Sequence, residues 1–379
     1  MQSLVVAGCL CLSLVAAGAR AQPRDVPLSP EAWTASDSIR FETYLGRQSL
    51  YINKGVALAR NVALENGSIE YDMAATPVSN FVGASFRALS VKFSEVVFFR
   101  LNQSGTTEAI QYAPALSGVA AAWQVFHGDG ANASAAIPRE RWFHVKIELD
   151  GRVARIYFDT ATTPTLTVRR LAGTGGRGLG VWTGAFGRGA YFSNIRYAPS
   201  PIRADTSADP PPPRGTITNW ELSNAIEAAQ FTPRRLPPPT AFTWQRVVIE
   251  PSGFVLVNRY REAPIATLPA NSATNEALAD SVMAGRVAGS RVVFARTIVD
   301  ADRAEVRRLQ YGYSDGVVIY VNGEPLVFAM NPQNLRDLGI MPTIGDAVYV
   351  RLRPGHNELV FAVIELGGGW AFWGRLDPP

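Results

Sequence analysis

Thiols are almost absent from this 379-residue chain: its cysteines are Cys9 and Cys11, both near the start. Loss of a leader over residues 1–21 would leave none. Disulfide staples, thiolate metal sites and cysteine nucleophiles are then excluded, and stability must come from buried apolar surface. Lysine is nearly as scarce, with Lys54, Lys92 and Lys146 alone. The net charge of +4 is carried by scattered arginines and forms no basic stripe, so nucleic acid is not an expected partner. The histidines His127, His144 and His356 share no metal-ligand spacing, which points to no metal and no cofactor; a structural calcium ion is not indicated either. Also missing are a Gly-x-Ser-x-Gly elbow, a phosphate loop and a dinucleotide fingerprint. Gly173 to Gly184 is glycine-rich, but it runs into a strand at Val181 instead of opening a helix, and reads as a turn. No apolar run reaches membrane-spanning length, so no membrane span is expected.

What is present begins with Leu4 to Ala17, an apolar run too short to cross a bilayer, followed by Ala19-Arg20-Ala21. This is the pattern of a signal peptide over residues 1–21 and implies a secreted or periplasmic protein. Met1-Gln2-Ser3 lacks the usual basic residue. Val6-Ala7-Gly8-Cys9 has the form of a lipoprotein box, but the apolar run continues past it, which argues against lipidation. Asp205 to Asp209 and the four prolines Pro210 to Pro213 form a semi-rigid spacer. The expected domains are therefore residues 31–200 and 215–379, with a proline-rich linker at 201–214 whose cutting would release two folded halves.

Both halves read as all-β. Phe143, Val145, Ile147 and Leu149 alternate with Trp142, His144, Lys146 and Glu148, then Asp150-Gly151 turns the chain, a hairpin signature. Similar runs occur at Phe81 to Phe86, Val91 to Leu101, Ala121 to Phe126 and Tyr191 to Tyr197. Past the linker, Asn322-Gly323 joins two strands, and Pro354-Gly355 is expected to join Ala347–Leu352 to Glu358–Glu365 as a second hairpin. A short helix fits only within Asn271–Arg286. Two β-sandwich domains are the predicted architecture.

Residues 40–197 resemble concanavalin A-like, laminin-G-like sandwiches. The resemblance is carried by Gly67-Ser68-Ile69-Glu70-Tyr71-Asp72-Met73, Phe81 to Arg87, Phe98-Phe99-Arg100 with Ser104-Gly105, Gln111 to Pro114, Trp123-Gln124 and Tyr191 to Ile195. Residues 215–379 resemble galactose-binding-like jelly rolls, such as the sugar-binding domain of family-two glycoside hydrolases, through Tyr313 to Gly323 and Leu352 to Leu359. The resemblance implies a carbohydrate-binding protein with a glycan as partner. The alternatives are a glycoside hydrolase and a purely structural or protein-interaction module.

For hydrolysis, Glu70 and Asp72 match the strand Glu-x-Asp-x-x-Glu of laminarinase-type relatives, but Ala75 stands where the second glutamate belongs. A retaining pair about 5–5.5 Å apart is thus incomplete, leaving Glu70 and Asp72 as weak catalytic candidates. For binding, Arg87, Arg100, Gln111, Tyr112, Trp123, Gln124 and His127 supply planar hydrogen-bonding groups and aromatic faces suited to a sugar ring. Trp123 and His127 would share a strand face. In the second half, Trp370, Phe372 and Trp373 follow Gly367-Gly368-Gly369. Trp370 and Trp373 are second-domain candidates for stacking. An exported protein cleaved after Ala21 begins at Gln22, so intact-mass measurement of secreted material should return a chain without either cysteine; a mass that includes Cys9 or an acyl group contradicts the leader assignment.

Overall fold

The computed structural model describes residues 22–378 apart from 117–121, 129, 185–187, 202–208, 210, 263, 265, 267–274 and 331–344. The expected leader, Ala121 and most of the expected linker lie outside the described residues. The rest is built almost wholly from antiparallel strands, as two-residue periodicity requires.

In the first half, one sheet runs in the order Leu166–Val168, Val153–Phe158, Trp142–Asp150, Gly67–Ala75, Ala190–Pro199, Arg47–Ile52, Ile39–Tyr44, with Arg24–Asp25 added beside Ala190–Pro199. The other contains Ile110–Ala115, Phe93–Phe99, Val82–Ser90, Gly178–Thr183 and Gly55–Ala59 in that order, with Asn132–Ala133 and Trp33–Ala35 at its edges. Ile69, Tyr71, Met73, Val145, Ile147 and Phe192 of the first sheet meet Phe86, Val97, Phe99, Ile110 and Val181 of the second in one continuous core. Gly180 lies in a central strand because a Cβ there would sit 2.1 Å from the carbonyl oxygen of Ala57. The Asp150-Gly151 signal makes the expected hairpin, with Asp150 opposite Val153.

In the second half, a large sheet runs Trp244–Val247, Trp220–Ser223, Arg291–Ala301, Gly355–Glu365, Gly316–Val321, Glu324–Met330, and packs on a smaller one, Val255–Leu256, Ala371–Leu376, Glu305–Ser314, Asp346–Leu352. Asn322-Gly323 forms its hairpin, both residues at positive φ (53° and 87°) as a primed turn demands. A helix spans Asn275–Met283. Pro354-Gly355 does not close a hairpin. Asp346–Leu352 pairs with Glu305–Ser314, whereas Gly355–Glu365 pairs with Arg291–Ala301 and Gly316–Val321. Val350 and Leu352 on one side and Leu359, Phe361 and Val363 on the other belong to a common core, so the chain crosses from sheet to sheet and these strands face each other through packed side chains.

The two halves are docked. Leu116, Ala122 and Val125 of the first pack with Phe254, Leu256 and Ala371 of the second, and the Phe126 and Phe254 rings meet edge to face at 6.3 Å. Gln124 crosses between them. Its amide donates to Asp315 (2.9 Å), its carbonyl accepts from the Ser314 hydroxyl (3.1 Å), and its backbone N–H donates to the Gly368 carbonyl (3.0 Å). The glycine triad admits this approach: a Cβ on Gly368, at φ +105°, would lie 2.8 Å from both Trp123 Nε1 and Gln124 Oε1. Arg259 adds bonds to the carbonyls of Ala172 and Gly173.

Beneath this contact lie two buried acids. Asp315 accepts from Gln124 and from the backbone N–H groups of Leu366 and Gly367, yet burial pushes its carboxyl up to about 7. Burial first, and the neighbouring Asp315 second, push Glu365 well above the carboxylate range. Its Oε2 has no hydrogen-bond partner among the described residues. The donors around Asp315 favour negative charge there, so the proton resides on Glu365.

Because these carboxyls are raised, their contribution to stability is present below the ordinary carboxyl range and is lost as pH rises through about 7. The Tm should fall between about pH 5 and pH 8, and Glu365→Gln should flatten that fall; a wild-type Tm that climbs over the interval contradicts the assignment. Docking also revises the expectation of released halves. After a linker nick, the fragments should co-elute on size exclusion, and separate elution would show that the contact does not hold.

Candidate functional site

The polar and aromatic set expected to bind sugar divides in two. Arg87 clamps backbone, donating from Nε and Nη2 to the Glu65 carbonyl (3.0 and 2.8 Å) and from Nη2 to that of Gly151 (2.5 Å). Tyr112 is in the core, its hydroxyl donating to Glu95 (2.6 Å) and accepting from the Ala172 N–H. Gln124 is wholly buried in the domain contact.

Arg100, Gln111, Trp123 and His127 do come together, around an acid the sequence reading did not single out. Glu108 takes Arg100 on one oxygen (2.5 Å) and His127 on the other (2.9 Å). The Arg100 guanidinium lies 5.7 Å from the Trp123 ring, and buried Gln111 donates to the carbonyls of Trp123 and Phe126 (3.0 and 2.8 Å). Residues 122–126 form a turn, not a strand, so Trp123 and His127 share no strand face. The turn folds over the outer side of the second sheet, where Trp123 and Phe126 pack on Val96, Phe98, Ala113 and Trp182. Most of these polar groups are satisfied internally, as buried ones usually are, the exception being the Arg100 Nε, which has no hydrogen-bond partner among the described residues.

Trp370 is fully buried and its Nε1 donates to the Val363 carbonyl (3.2 Å); it is core, not a platform. Trp373 is half-buried beneath the Arg375 guanidinium, 5.5 Å from its ring.

The residues that do face solvent as a group surround the other sequence candidates. Because Ile69, Tyr71 and Met73 are buried, Glu70 and Asp72 project from the opposite face of the first sheet. The register places His144 opposite Asp72 on one side and Ser193 on the other. Asp72 is the hub: its Oδ1 accepts from His144 Nδ1 (2.8 Å), and its Oδ2 from Arg47 Nη1 (2.5 Å) and Asn194 Nδ2 (2.7 Å). Three neighbouring strands thus converge on one carboxylate. Asn194 reaches it through a bulge between Ser193 and Arg196, at φ 49°, the kind of irregularity that re-aims a side chain. Burial pushes the Asp72 carboxyl up, but the His144 and Asn194 hydrogen bonds and the His144 and Arg47 charges outweigh it and hold it below the usual range. An ionised Asp72 accepts only, so His144 Nδ1 carries the proton and Nε2 is the atom turned toward Glu70, at 3.6 Å. Glu70 is itself held by Arg196 (2.5 and 3.1 Å).

This cluster lines a depression of about 690 Å³ with Asp25 and Gln48 at its edge. Beside it lies an aromatic row. Tyr44 and Tyr191 stack at 3.8 Å and 4°, Tyr51 leans on Tyr191 at 4.8 Å, Trp142 meets Tyr44 edge-on at 6.2 Å, and the Arg47 guanidinium lies 5.2 Å from the Trp142 ring. Of these groups the sequence reading named Glu70 and Asp72 as candidates and noted that Trp142 and His144 face outward. Arg47, Tyr44, Asn194 and Arg196 needed the strand register. Among the described residues no group of three or more His, Cys, Asp or Glu could hold a metal ion.

No protein-family model matches the chain, and no curated protein matches it by sequence. Among solved structures, it is similar over 43% of its length to 93% of the carbohydrate binding module CBM66 from Bacillus subtilis (16% identity, TM-score 0.33). It is similar over 49% to 98% of a protein of unknown function with a galectin-like fold from Bacillus subtilis (10%, 0.36), and over 48% to 99% of the Bacillus licheniformis beta-glucanase (11%, 0.32).

Proposed function

We propose that this chain binds carbohydrate on the open face of its first sheet. The observation that carries the reading is the juxtaposition on one solvent-facing surface of the aromatic row Tyr51, Tyr191, Tyr44 and Trp142 with the Asp72, His144, Arg47 and Asn194 cluster. A pyranose has apolar C–H faces and a rim of hydroxyls. Rings offer the first a platform, and fixed carboxylate, amide and guanidinium groups offer the second both acceptors and donors. Each polar group is already locked by its neighbours, so little side-chain entropy is lost on binding.

Binding fits the chemistry better than hydrolysis. Glycosidic cleavage needs one carboxyl kept protonated near neutral pH opposite a second carboxylate. Asp72 is held ionised, Glu70 is ion-paired with Arg196, and Ala75, at the position of the missing glutamate, is fully buried.

A glycan array on the mature protein supplies the ligand, and calorimetry then separates the sites. Trp142→Ala and Asp72→Asn should each weaken binding by about 1–3 kcal/mol, or roughly one to two decades, with a cooperative melt showing the fold intact and Asp72→Asn lowering the Tm because it removes a favourably held charge. Arg100→Gln, in the cluster around Glu108, should leave affinity unchanged. The reverse pattern would move the site to that cluster, and no binding to any glycan would overturn the reading.

A further inference from the structure

Where the halves dock, a second cleft of about 590 Å³ remains open, walled by His127, Asn132 and Thr167 from the first domain and by Glu250 and Phe254 from the second. Its cationic wall is Arg152, Arg169 and Arg170. Glu250 does not neutralise that wall, because both of its oxygens are taken by Arg259 (2.5 and 3.1 Å). Instead a carboxylate from the linker does so. Asp209 Oδ1 accepts from Arg152 Nη1 at 2.6 Å and pairs with the Arg170 guanidinium as well. The three side chains remain 32–39% exposed, so this ion pair is open to solvent and to exchange with an outside carboxylate. The Asn132 side-chain nitrogen has no hydrogen-bond partner among the described residues.

We infer that this cleft takes a carboxylated sugar, a uronic-acid oligosaccharide whose carboxylate replaces Asp209 on Arg152 and Arg170. Asp209 displays the contact that such a ligand would make. A paired guanidinium set selects a carboxylate over a neutral hydroxyl by charge-assisted hydrogen bonding. The remaining wall suits a polyhydroxylated ring: Asn132 brings an amide nitrogen with no hydrogen-bond partner among the described residues, and Thr167 and Ser252 are further polar lining residues. An acidic peptide would use the arginines and leave these groups without a purpose. Nothing in this cleft is shared with the Asp72 face, so the two sites stand or fall separately.

The test is calorimetric titration of trigalacturonic acid at low salt into the full mature chain, with tetraglutamate and a neutral trisaccharide as controls. Asp209→Asn removes the internal competitor and should bind trigalacturonate about tenfold more tightly than wild type, with affinity falling as salt is added. Arg152→Gln and Arg170→Gln combined with Asp209→Asn should lose at least that gain, whereas Trp142→Ala should change nothing. Equal affinity in wild type and Asp209→Asn, or binding that survives loss of both arginines, overturns the inference. Tighter binding of tetraglutamate than of trigalacturonate makes the cleft a peptide site and overturns it equally. If the arginine variants fail to fold, the comparison of Asp209→Asn with wild type decides alone.

Discussion

Alternation of side chains across the pleat is the constraint on which the rest depends. The described residues contain no cysteine, so the sandwich is held by its core, and Ile69, Tyr71 and Met73 must point into it. That requirement sends Glu70 and Asp72 outward, and the same rule in the adjacent strands sends out Trp142 and His144, Tyr191, and Arg47. A one-residue slip in Gly67–Ala75 or Trp142–Asp150 would bury charges and expose an aromatic core residue, Tyr71 or Phe143. The outer face is therefore as well specified as the core.

The second sheet meets the opposite fate. Its outer face is covered by the turn that carries Trp123 and Gln124, and the turn is pressed down by the second domain through Gln124, Asp315 and the glycine triad. This explains why polar residues that look suited to ligand contact are interior. Gln111 and Gln124 satisfy backbone and side-chain groups that docking would otherwise strand, and leaving any of those groups unpaired costs about 1–3 kcal/mol. It also makes the linker a participant: Asp209 is fixed to the first domain through Arg152, a residue that lines the cleft between the domains.

Local signals were legible where local physics decides. The turns at Asp150-Gly151 and Asn322-Gly323, the outward set on Trp142–Asp150 and the position of the Asn275–Met283 helix follow from period and turn chemistry. Contacts set by topology were not. Pro354-Gly355 looks like any hairpin turn, and only the pairing partners of its flanking strands show that it crosses between sheets. The run ending at Phe126 is apolar enough for a strand, but it serves as a lid and a docking surface, roles that periodicity does not distinguish. At the candidate site, Asp72 stood out by its likeness to a catalytic strand, while Arg47 and Asn194, far away in sequence, join it only through the register and one bulge.

The central claim is that the face around Asp72 and Trp142 holds the sugar. It is tested most directly by a crystal structure of the mature protein with the oligosaccharide identified on the array. The account predicts a pyranose ring against Trp142 or the stacked pair Tyr44 and Tyr191, with a hydroxyl bonded to the cluster centred on Asp72. Sugar density elsewhere on the molecule, with this face empty, would contradict it.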